Sequence, residues 1–225
     1  PLKIPTTPAP KSLAGVTARV ASEVFLFRSL FRGSKKLWVG SLAYHATLWT
    51  ILLYKLLTYL PPLLAGLTGG LIDFTLTPYL RTVAVYQAVG YVGIFLSGSI
   101  LFLLFRRLIL PSLRYLSRFT DYLPLILIAS IALTGTYLRA YTQVNVDEVA
   151  ALIKSLASFK TPTPPAEPFF LIHFLFIQVL MMYFPFSKLM HVVGVLLSPT
   201  RNQRDNPRAR RHVNPWDYPV EIENW

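Results

Sequence analysis

The sequence predicts an all-α integral membrane protein, a four-helix bundle preceded by a helix that lies on the membrane surface. Three observations lead to this prediction. Apolar residues make up 53% of the chain, and they fall into four blocks of the length that a helix needs to cross the hydrocarbon core. Cations gather beside the ends of these blocks. Histidines lie inside two of them, where an ionisable side chain is costly unless it serves a site.

The composition narrows the possible chemistry. The chain has no cysteine, which excludes thiolate-bound zinc, iron–sulfur clusters, disulfides and covalent haem attachment within it. Histidine therefore remains the obvious metal ligand. A net charge of +12 would suggest nucleic acid for a soluble protein, but here the positions of the charges matter more. Because the chain begins with Pro1, we expect the natural protein to extend further at its N-terminus; no secretory signal is visible.

The first 36 residues combine a proline-rich lead-in with an amphipathic segment. Residues 1–11 contain too much proline for a helix. From Ser12 to Phe31, apolar residues recur at helical spacing opposite Arg19 and Arg28. This pattern is typical of a helix that lies in the membrane interface.

Four membrane spans are predicted, at residues 37–60, 81–105, 122–138 and 168–199. The first is expected to stop at Pro61 and Pro62, because proline breaks the interior of a helix. A glycine-rich turn should follow it, formed by Gly66, Gly69 and Gly70.

Two further features belong to the segments around the later spans. Gly90, Gly93 and Gly98 on the second span suit either close helix packing or the approach of a flat cofactor. Between the third and fourth spans, Asn145 and Asp147 offer N-cap chemistry for a short helix over residues 147–159.

The orientation follows from the lysines and arginines near the ends of the spans, because the cytoplasmic side carries the excess. One side carries many cations: Arg28, Arg32, Lys35, Lys36, Arg106, Arg107, Arg114, Arg118, Arg201, Arg204, Arg208, Arg210 and Arg211. The other side carries a mixed set: Asp73, Arg81, Arg139, Asp147, Glu148, Lys154, Lys160 and Glu167. We therefore predict a multi-pass protein of the cell membrane, with a lead-in and interfacial helix over 1–36, a transmembrane bundle over 37–199 and a basic cytoplasmic tail over 200–225.

The fourth block, residues 168–199, carries the residues from which a cofactor can be inferred. His173 and His191 stand 18 residues apart, which is five helical turns, so on one helix both rings would leave the same face about 27 Å apart. With antiparallel spans, His45 of the first span meets the level of His191, and Lys55 is the strong donor at the level of His173. Facing nitrogen ligands in a four-helix bundle are typical of haem iron. Two haems stacked across the bilayer would explain the spacing.

Each of these assignments has an alternative. His45 and His191 would also fit a hydrogen-bonded pair without metal. Lys55 must be neutral to coordinate iron, a form that burial favours; otherwise it extends to the outer interface or contacts a haem propionate. Lys188 and Arg139 suit either propionates or ordinary interfacial anchoring. His212, in the basic tail, has no predicted metal role.

The tail after the fourth span is polar, basic and rich in proline. Four of its residues are predicted to bind a cytoplasmic subunit: Arg208, Arg210, Arg211 and Trp216. Basic and aromatic side chains suit an interface core and attract an acidic partner. The alternative is attraction to anionic lipid headgroups.

Short motifs spread over nearly the whole chain point to a family. They are IPTT (4–7), EVFLFRSLFR (23–32), LAYH (42–45), DYLPLIL (121–127), FPFSKLMH (184–191), SPTRNQ (198–203) and RRHVNPW (210–216). In these motifs the chain resembles the DsrM group of membrane cytochrome b subunits. That group functions in DsrMKJOP complexes and belongs to the wider nitrate reductase gamma subunit family.

The resemblance implies two b-type haems, a menaquinone site near the outer haem and a DsrK-like cytoplasmic iron–sulfur partner in sulfite reduction, together with other membrane and periplasmic subunits. It also implies that His45 and His191 hold the inner haem iron, and that His173 and a second histidine of the first span hold the outer one. Lys55 stands where the family has that second histidine. The departure leaves both the number of haems and the outer ligand set open.

The sequence therefore predicts an electron-transfer subunit of a quinone-linked oxidoreductase complex. Candidates for the quinone end are Lys55, Tyr59, Arg81, Tyr86 and Arg139. The nearest alternative is the haem subunit of a respiratory nitrate reductase, against which the RRHVNPW tail argues, or of a heterodisulfide reductase. An alternative of another class is a cofactor-free membrane anchor for a soluble subunit. A transporter would be expected to have more spans and internal repeats.

Overall fold

The structure is a computed structural model that describes residues 10, 12–71, 83–142 and 144–198, without the side chains of residues 83–86. Within these ranges the chain is helical and has no strand. Its α-helices are α1 (Leu13–Leu26), α2 (Arg28–Gly33), α3 (Lys35–Leu67), α4 (Val83–Ile109), α5 (Pro111–Leu116), α6 (Phe119–Tyr137), α7 (Val146–Ala157), α8 (Pro168–Tyr183) and α9 (His191–Gly194).

Four helical segments of the described chain are long and apolar enough to cross a membrane: Lys35–Leu67, Gln87–Ile109, Phe119–Thr142 and Pro168–Phe186. The predicted all-α class with four spans is thereby confirmed. The chain divides into two compact units. One runs from Val39 to Lys188, and the other combines the segment up to Trp38 with the segment from Leu189.

The predicted interfacial helix consists of two helices rather than one. Ser12 caps α1 by accepting a hydrogen bond from the amide of Gly15 at 3.1 Å. The chain then turns at Phe27, whose φ of 49° is left-handed. The carboxylate of Glu23 accepts hydrogen bonds from both the amide and the hydroxyl of Ser29. An acidic side chain thus satisfies the first turn of α2, where the backbone lacks helical acceptors.

The first span does not stop at Pro61 and Pro62, contrary to the prediction, because α3 continues through both to Leu67. Each proline removes only one amide donor, and within a membrane helix such losses are tolerated where neighbouring groups compensate. The helix ends instead at the predicted glycine turn. Gly69 and Gly70 have φ values of 63° and 93°, which glycine adopts without steric cost.

The connecting helix α7 confirms the short helix expected before the fourth span. The side chain of Asn145 caps it by accepting from the amide of Asp147 at 2.9 Å. Leu152 is buried with Leu138 and Phe170. At the end of α3, a Cβ on Gly66 would lie 2.6 Å from the carbonyl oxygen of Lys154. Glycine is therefore required there for α7 to pack against α3.

Helix α6 is the centre of the bundle, because it packs against both α4 and α8. Small residues allow the α4–α6 approach. A Cβ on Gly93 would lie 3.3 Å from Thr136 Oγ1, and one on Gly90 would lie 3.2 Å from Arg139 Nε. Side chains of the third span thus occupy the space beside these two glycines, which favours helix packing over cofactor contact there. Nothing lies within 4 Å of a Cβ on Gly98.

A single carboxylate joins the ends of three helices. Asp121 of α6, with a side chain only 7% exposed, forms ion pairs with Arg107 of α4, at 3.6 Å, and with Lys188, which follows α8. It also accepts from the amide of Arg118 at 3.0 Å. The sequence predicted that Lys188 binds a haem propionate or anchors the chain at the interface. In the structure its partner is Asp121.

The fourth predicted span is not one continuous helix, and this corrects the predicted geometry. Helix α8 ends at Tyr183, and two 3₁₀ turns, Phe184–Phe186 and Lys188–Met190, precede α9. Pro185 supplies no amide hydrogen, and Ser187 is extended (φ −102°, ψ 165°). Because the helix is interrupted, its regular spacing no longer applies. The expectation that His173 and His191 leave one helical face about 27 Å apart is therefore wrong.

Candidate functional site

His45 lies on α3 in an orientation that defines its tautomer. Its Nδ1 is 2.7 Å from the carbonyl oxygen of Ser41, one turn earlier. A carbonyl only accepts, so Nδ1 must carry a hydrogen, and in the neutral imidazole the lone pair then lies on Nε2. The ring is part-buried and meets the ring of Tyr44 edge-on, with centroids 4.9 Å apart. The neutral ring thus has Nδ1 held by the backbone, and its Nε2 is a nitrogen of the kind that metals bind.

His173 lies on α8 and is held by the neighbouring helix. Its Nδ1 is 2.8 Å from the hydroxyl of Thr134 on α6. The ring packs against Gly135, where an added Cβ would lie only 3.0 Å from Cε1. His173 is part-buried, and its contacts with Thr134 and Gly135 show that α6 supports one side of the ring.

Lys55 stands in the same neighbourhood as His173, which the sequence predicted from the depths of the two residues. It lies close enough to His173 and to Arg139 for its charge to act on both. Its Nζ is also 5.3 Å from the ring centroid of Tyr59. Chemically, His173 and a neutral Lys55 offer two nitrogen donors for a metal. Alternatively, Lys55 and Arg139 are two cations able to bind a carboxylate.

The remaining predicted residues lie elsewhere or outside the described part of the chain. His191 begins α9, in the other compact unit, and is exposed; its carbonyl accepts from the amide of Val195 at 2.9 Å. The pairing of His45 with His191 stays a prediction. Outside the described residues lie Arg81, Arg208, Arg210, Arg211, His212 and Trp216, as does the side chain of Tyr86.

The histidines fit a haem better than a bare metal ion. Among the described residues, no group of three or more histidine, cysteine, aspartate or glutamate side chains could hold a metal ion. A porphyrin supplies four ligands itself and needs only one or two axial nitrogens from the protein. In both His45 and His173, Nδ1 is engaged by a hydrogen bond, as one ring nitrogen of an iron-ligating imidazole usually is, so Nε2 is the nitrogen that would bind the iron.

Thr134 and Gly135 were not predicted as site residues from the sequence. The signal was present as the run Thr134-Gly135-Thr136, a cluster of small and polar residues within an apolar span. Such a cluster marks close helix contact in a membrane. Which side chain occupies that contact depends on how α8 packs beside α6, and this is not visible in the sequence.

Comparison with known proteins identifies the family to which the chain belongs. The family described as nitrate reductase gamma subunit matches residues 12–202. Two curated proteins, from Archaeoglobus fulgidus and Archaeoglobus profundus, are each 32% identical to the chain, across 96% of its length and 74% of theirs. Both are named Hdr-like menaquinol oxidoreductase cytochrome b-like subunit. No solved structure matches.

Proposed function

The chain belongs to the nitrate reductase gamma subunit family, and from this membership we propose that it is the membrane cytochrome b subunit of a menaquinone-linked oxidoreductase. It would carry electrons between menaquinone in the membrane and an iron–sulfur subunit in the cytoplasm. The observation that carries the proposal is the hydrogen bond at Nδ1 of both His45 and His173 within apolar helices, because it makes Nε2 of each ring the nitrogen that would bind iron. The names of the two relatives support the same electron-transfer role.

We propose His45 and His191 as the axial ligands of the inner haem, and His173 with Lys55 as those of the outer haem. When bound, haem b supplies a reversible one-electron change at its iron. The chain's own residues orient the two axial nitrogens. The Ser41 carbonyl holds the ring of His45, and Thr134 holds that of His173. The closeness of Lys55 to His173 supports the second pair.

The quinone end is proposed beside the outer haem. The candidates are Tyr59, Arg81, Tyr86 and Arg139, with Lys55 beside them. Tyr59 contacts Lys55, and Arg139 lies near it, so three of these side chains are neighbours. Hydroxyl and cationic groups can hold the two oxygens of a quinone and exchange protons there. Oxidation of menaquinol releases two protons, which these side chains would accept, and two electrons, for which bound haem b would supply one-electron acceptors.

The partner is proposed to be a heterodisulfide reductase-like iron–sulfur subunit. Both relatives carry "Hdr-like" in their names, and the DsrM-like motifs support a DsrK-like partner in dissimilatory sulfur metabolism. The membrane is proposed to be the cell membrane, with the tail in the cytoplasm, because the cations gather on that side. The alternative is a cofactor-free membrane anchor, and the following experiment distinguishes it from a cytochrome b subunit.

The purified full-length protein is expected to contain two haems b per chain and to be reduced by a menaquinol analogue. A pyridine haemochrome assay gives the haem-to-protein ratio, and the reduced-minus-oxidised spectrum follows the electron transfer. Protein without haem would identify a membrane anchor. Haem that dithionite reduces but the quinol analogue does not would contradict the link to quinone.

Deletion of the tail after Pro199 is expected to abolish binding of the cytoplasmic subunit while leaving the haem spectrum unchanged. The tail carries a dense set of cations, which attract an acidic partner and hold it at the interface. Co-purification with the partner measures the effect. A chain with Arg208, Arg210 and Arg211 changed to lysine is the matched control, because it keeps the charge. Partner binding that survives the deletion would contradict the interface.

A further inference from the structure

We propose that Thr134 and Gly135 of α6 are positioning residues for His173: together they fix its tautomer and its place, and so direct Nε2 to the haem iron. This inference rests on the proposed function, since it assumes that His173 binds a haem. Both residues belong to α6, a helix that contributes no axial ligand to the proposed haem sites.

The hydrogen bonds around Thr134 leave one arrangement for the proton between it and His173. Thr134 Oγ1 is 2.6 Å from the carbonyl oxygen of Ser130 and 2.8 Å from His173 Nδ1. The hydroxyl has a single hydrogen, and a carbonyl cannot donate. Two oxygens at 2.6 Å need a hydrogen between them, so the hydroxyl donates to Ser130. His173 must then donate from Nδ1 to the hydroxyl.

This arrangement leaves the lone pair on Nε2 of His173. An imidazole that donates its other ring hydrogen to a fixed acceptor is held in one tautomer and one orientation, and it becomes a more basic ligand. The hydroxyl of Thr134 therefore does for His173 what the Ser41 carbonyl does for His45.

Gly135 fixes the position of the same ring by contact. A Cβ at this residue would lie 3.0 Å from Cε1 of His173, 3.6 Å from Nδ1 and 3.7 Å from Nε2. Carbon atoms in contact normally lie about 3.5–4.0 Å apart, so an alanine would push the ring away by several tenths of an ångström. Such a shift moves Nε2 and strains the hydrogen bond to Thr134.

Thr134 and Gly135 lie in a part of α6 that is itself held in place by packing. Ala129 and Ala132 of α6 are buried, and the hydroxyl of Thr136 lies 3.3 Å from that of Ser97 on α4. Positioning groups are effective when their own places are held by packing. His173 thus takes its orientation from the most enclosed helix of the bundle rather than from α8 alone.

Thr134→Val is expected to weaken binding of the His173 haem about 10- to 100-fold, the usual effect of losing such a partner. Valine keeps the shape and removes the acceptor. Haem titration of the purified full chain measures the affinity. Low-temperature electron paramagnetic resonance follows the low-spin signal, which His173→Ala identifies by its loss. Thr134→Ser, which keeps the hydroxyl, should retain both the haem affinity and the low-spin signal. A redox titration should show a higher midpoint potential in Thr134→Val, because a less basic ligand stabilises ferric iron less.

Matched controls separate this role from a general effect on folding. Thr50→Val removes a hydroxyl that bonds to its own helix at Ala46, and it should leave the His173 signal unchanged. Gly135→Ala is expected to shift that signal, whereas Gly98→Ala, where a Cβ meets nothing within 4 Å, should not. The signal of the other haem in each variant reports that the bundle has folded.

The outcomes distinguish the inference from the function on which it rests. A wild-type protein without haem would overturn both. A wild-type protein with two haems, together with Thr134→Val and Gly135→Ala variants whose His173 signal and haem affinity are unchanged, would overturn the positioning role alone. Loss in Thr134→Val with recovery in Thr134→Ser supports it.

Discussion

Replacing His45 with alanine is expected to remove one haem b and to stop the flow of electrons between menaquinone and the cytoplasmic partner. The iron would lose an axial nitrogen that no other described side chain of α3 near this depth supplies. His191→Ala should remove the same haem, because the two histidines are proposed to share one iron. The haem-to-protein ratio should therefore fall from two to one in either variant. The double variant should be no worse than the single ones, since a shared site can be lost only once.

Electron paramagnetic resonance shows whether the two substitutions act on one haem. The same low-spin signal should disappear in His45→Ala and in His191→Ala, and the remaining signal should be that of the His173 haem. His212→Ala is the control, because this tail histidine has no proposed metal role, and it should keep both signals. Loss of different signals in the two variants would show that His45 and His191 are not a pair.

Lys55→Ala is expected to convert the outer haem from low spin to high spin, because the proposed axial amine would be lost while His173 remains. Lys55→His should give a low-spin haem with two imidazole ligands, the arrangement that the family resemblance implies at this position. Both variants are measured by electron paramagnetic resonance and by the haem-to-protein ratio. Lys160→Ala, a lysine in the loop that precedes α8, is the control and should change neither.

Two other outcomes for Lys55 would contradict iron ligation. If Lys55→Ala keeps the low-spin signal but binds haem more weakly, Lys55 contacts a propionate, a role that its closeness to Arg139 also allows. If the wild type holds a single haem that the substitution does not alter, His45 and His191 are the only axial pair. The route to quinone must then differ from the one proposed.

Features that depend on local sequence were predictable. The four spans follow from uninterrupted apolar length, since a segment that is apolar along its whole length is stable only in a membrane or a large core. Helix α7 was predictable because Asn145 can cap it without help from the rest of the fold. The residue types able to hold a haem were likewise visible, because His45 and His173 are the histidines within apolar helices of the Val39–Lys188 unit.

Helix boundaries at proline were not predictable from residue type alone. Pro61 and Pro62 lie inside a continuous helix, whereas Pro185 lies at a break. The chemistry of the missing amide is the same in both places. The difference lies in the surroundings: α3 continues to the glycine turn and packs there against α7, while after α8 Ser187 is extended and Lys188 is held by Asp121.

The helical class, the four segments apolar enough to cross a membrane and the histidines suited to haem could all be inferred from the sequence, because length, hydropathy and residue chemistry are properties of each segment. The groups that orient those histidines became visible only in the packed structure. Thr134 meets His173 across 39 residues, and Asp121 meets Lys188 across 67. Such pairs depend on the rotation and depth at which helices pack, and these are set by the contacts of all their side chains together rather than by any one segment.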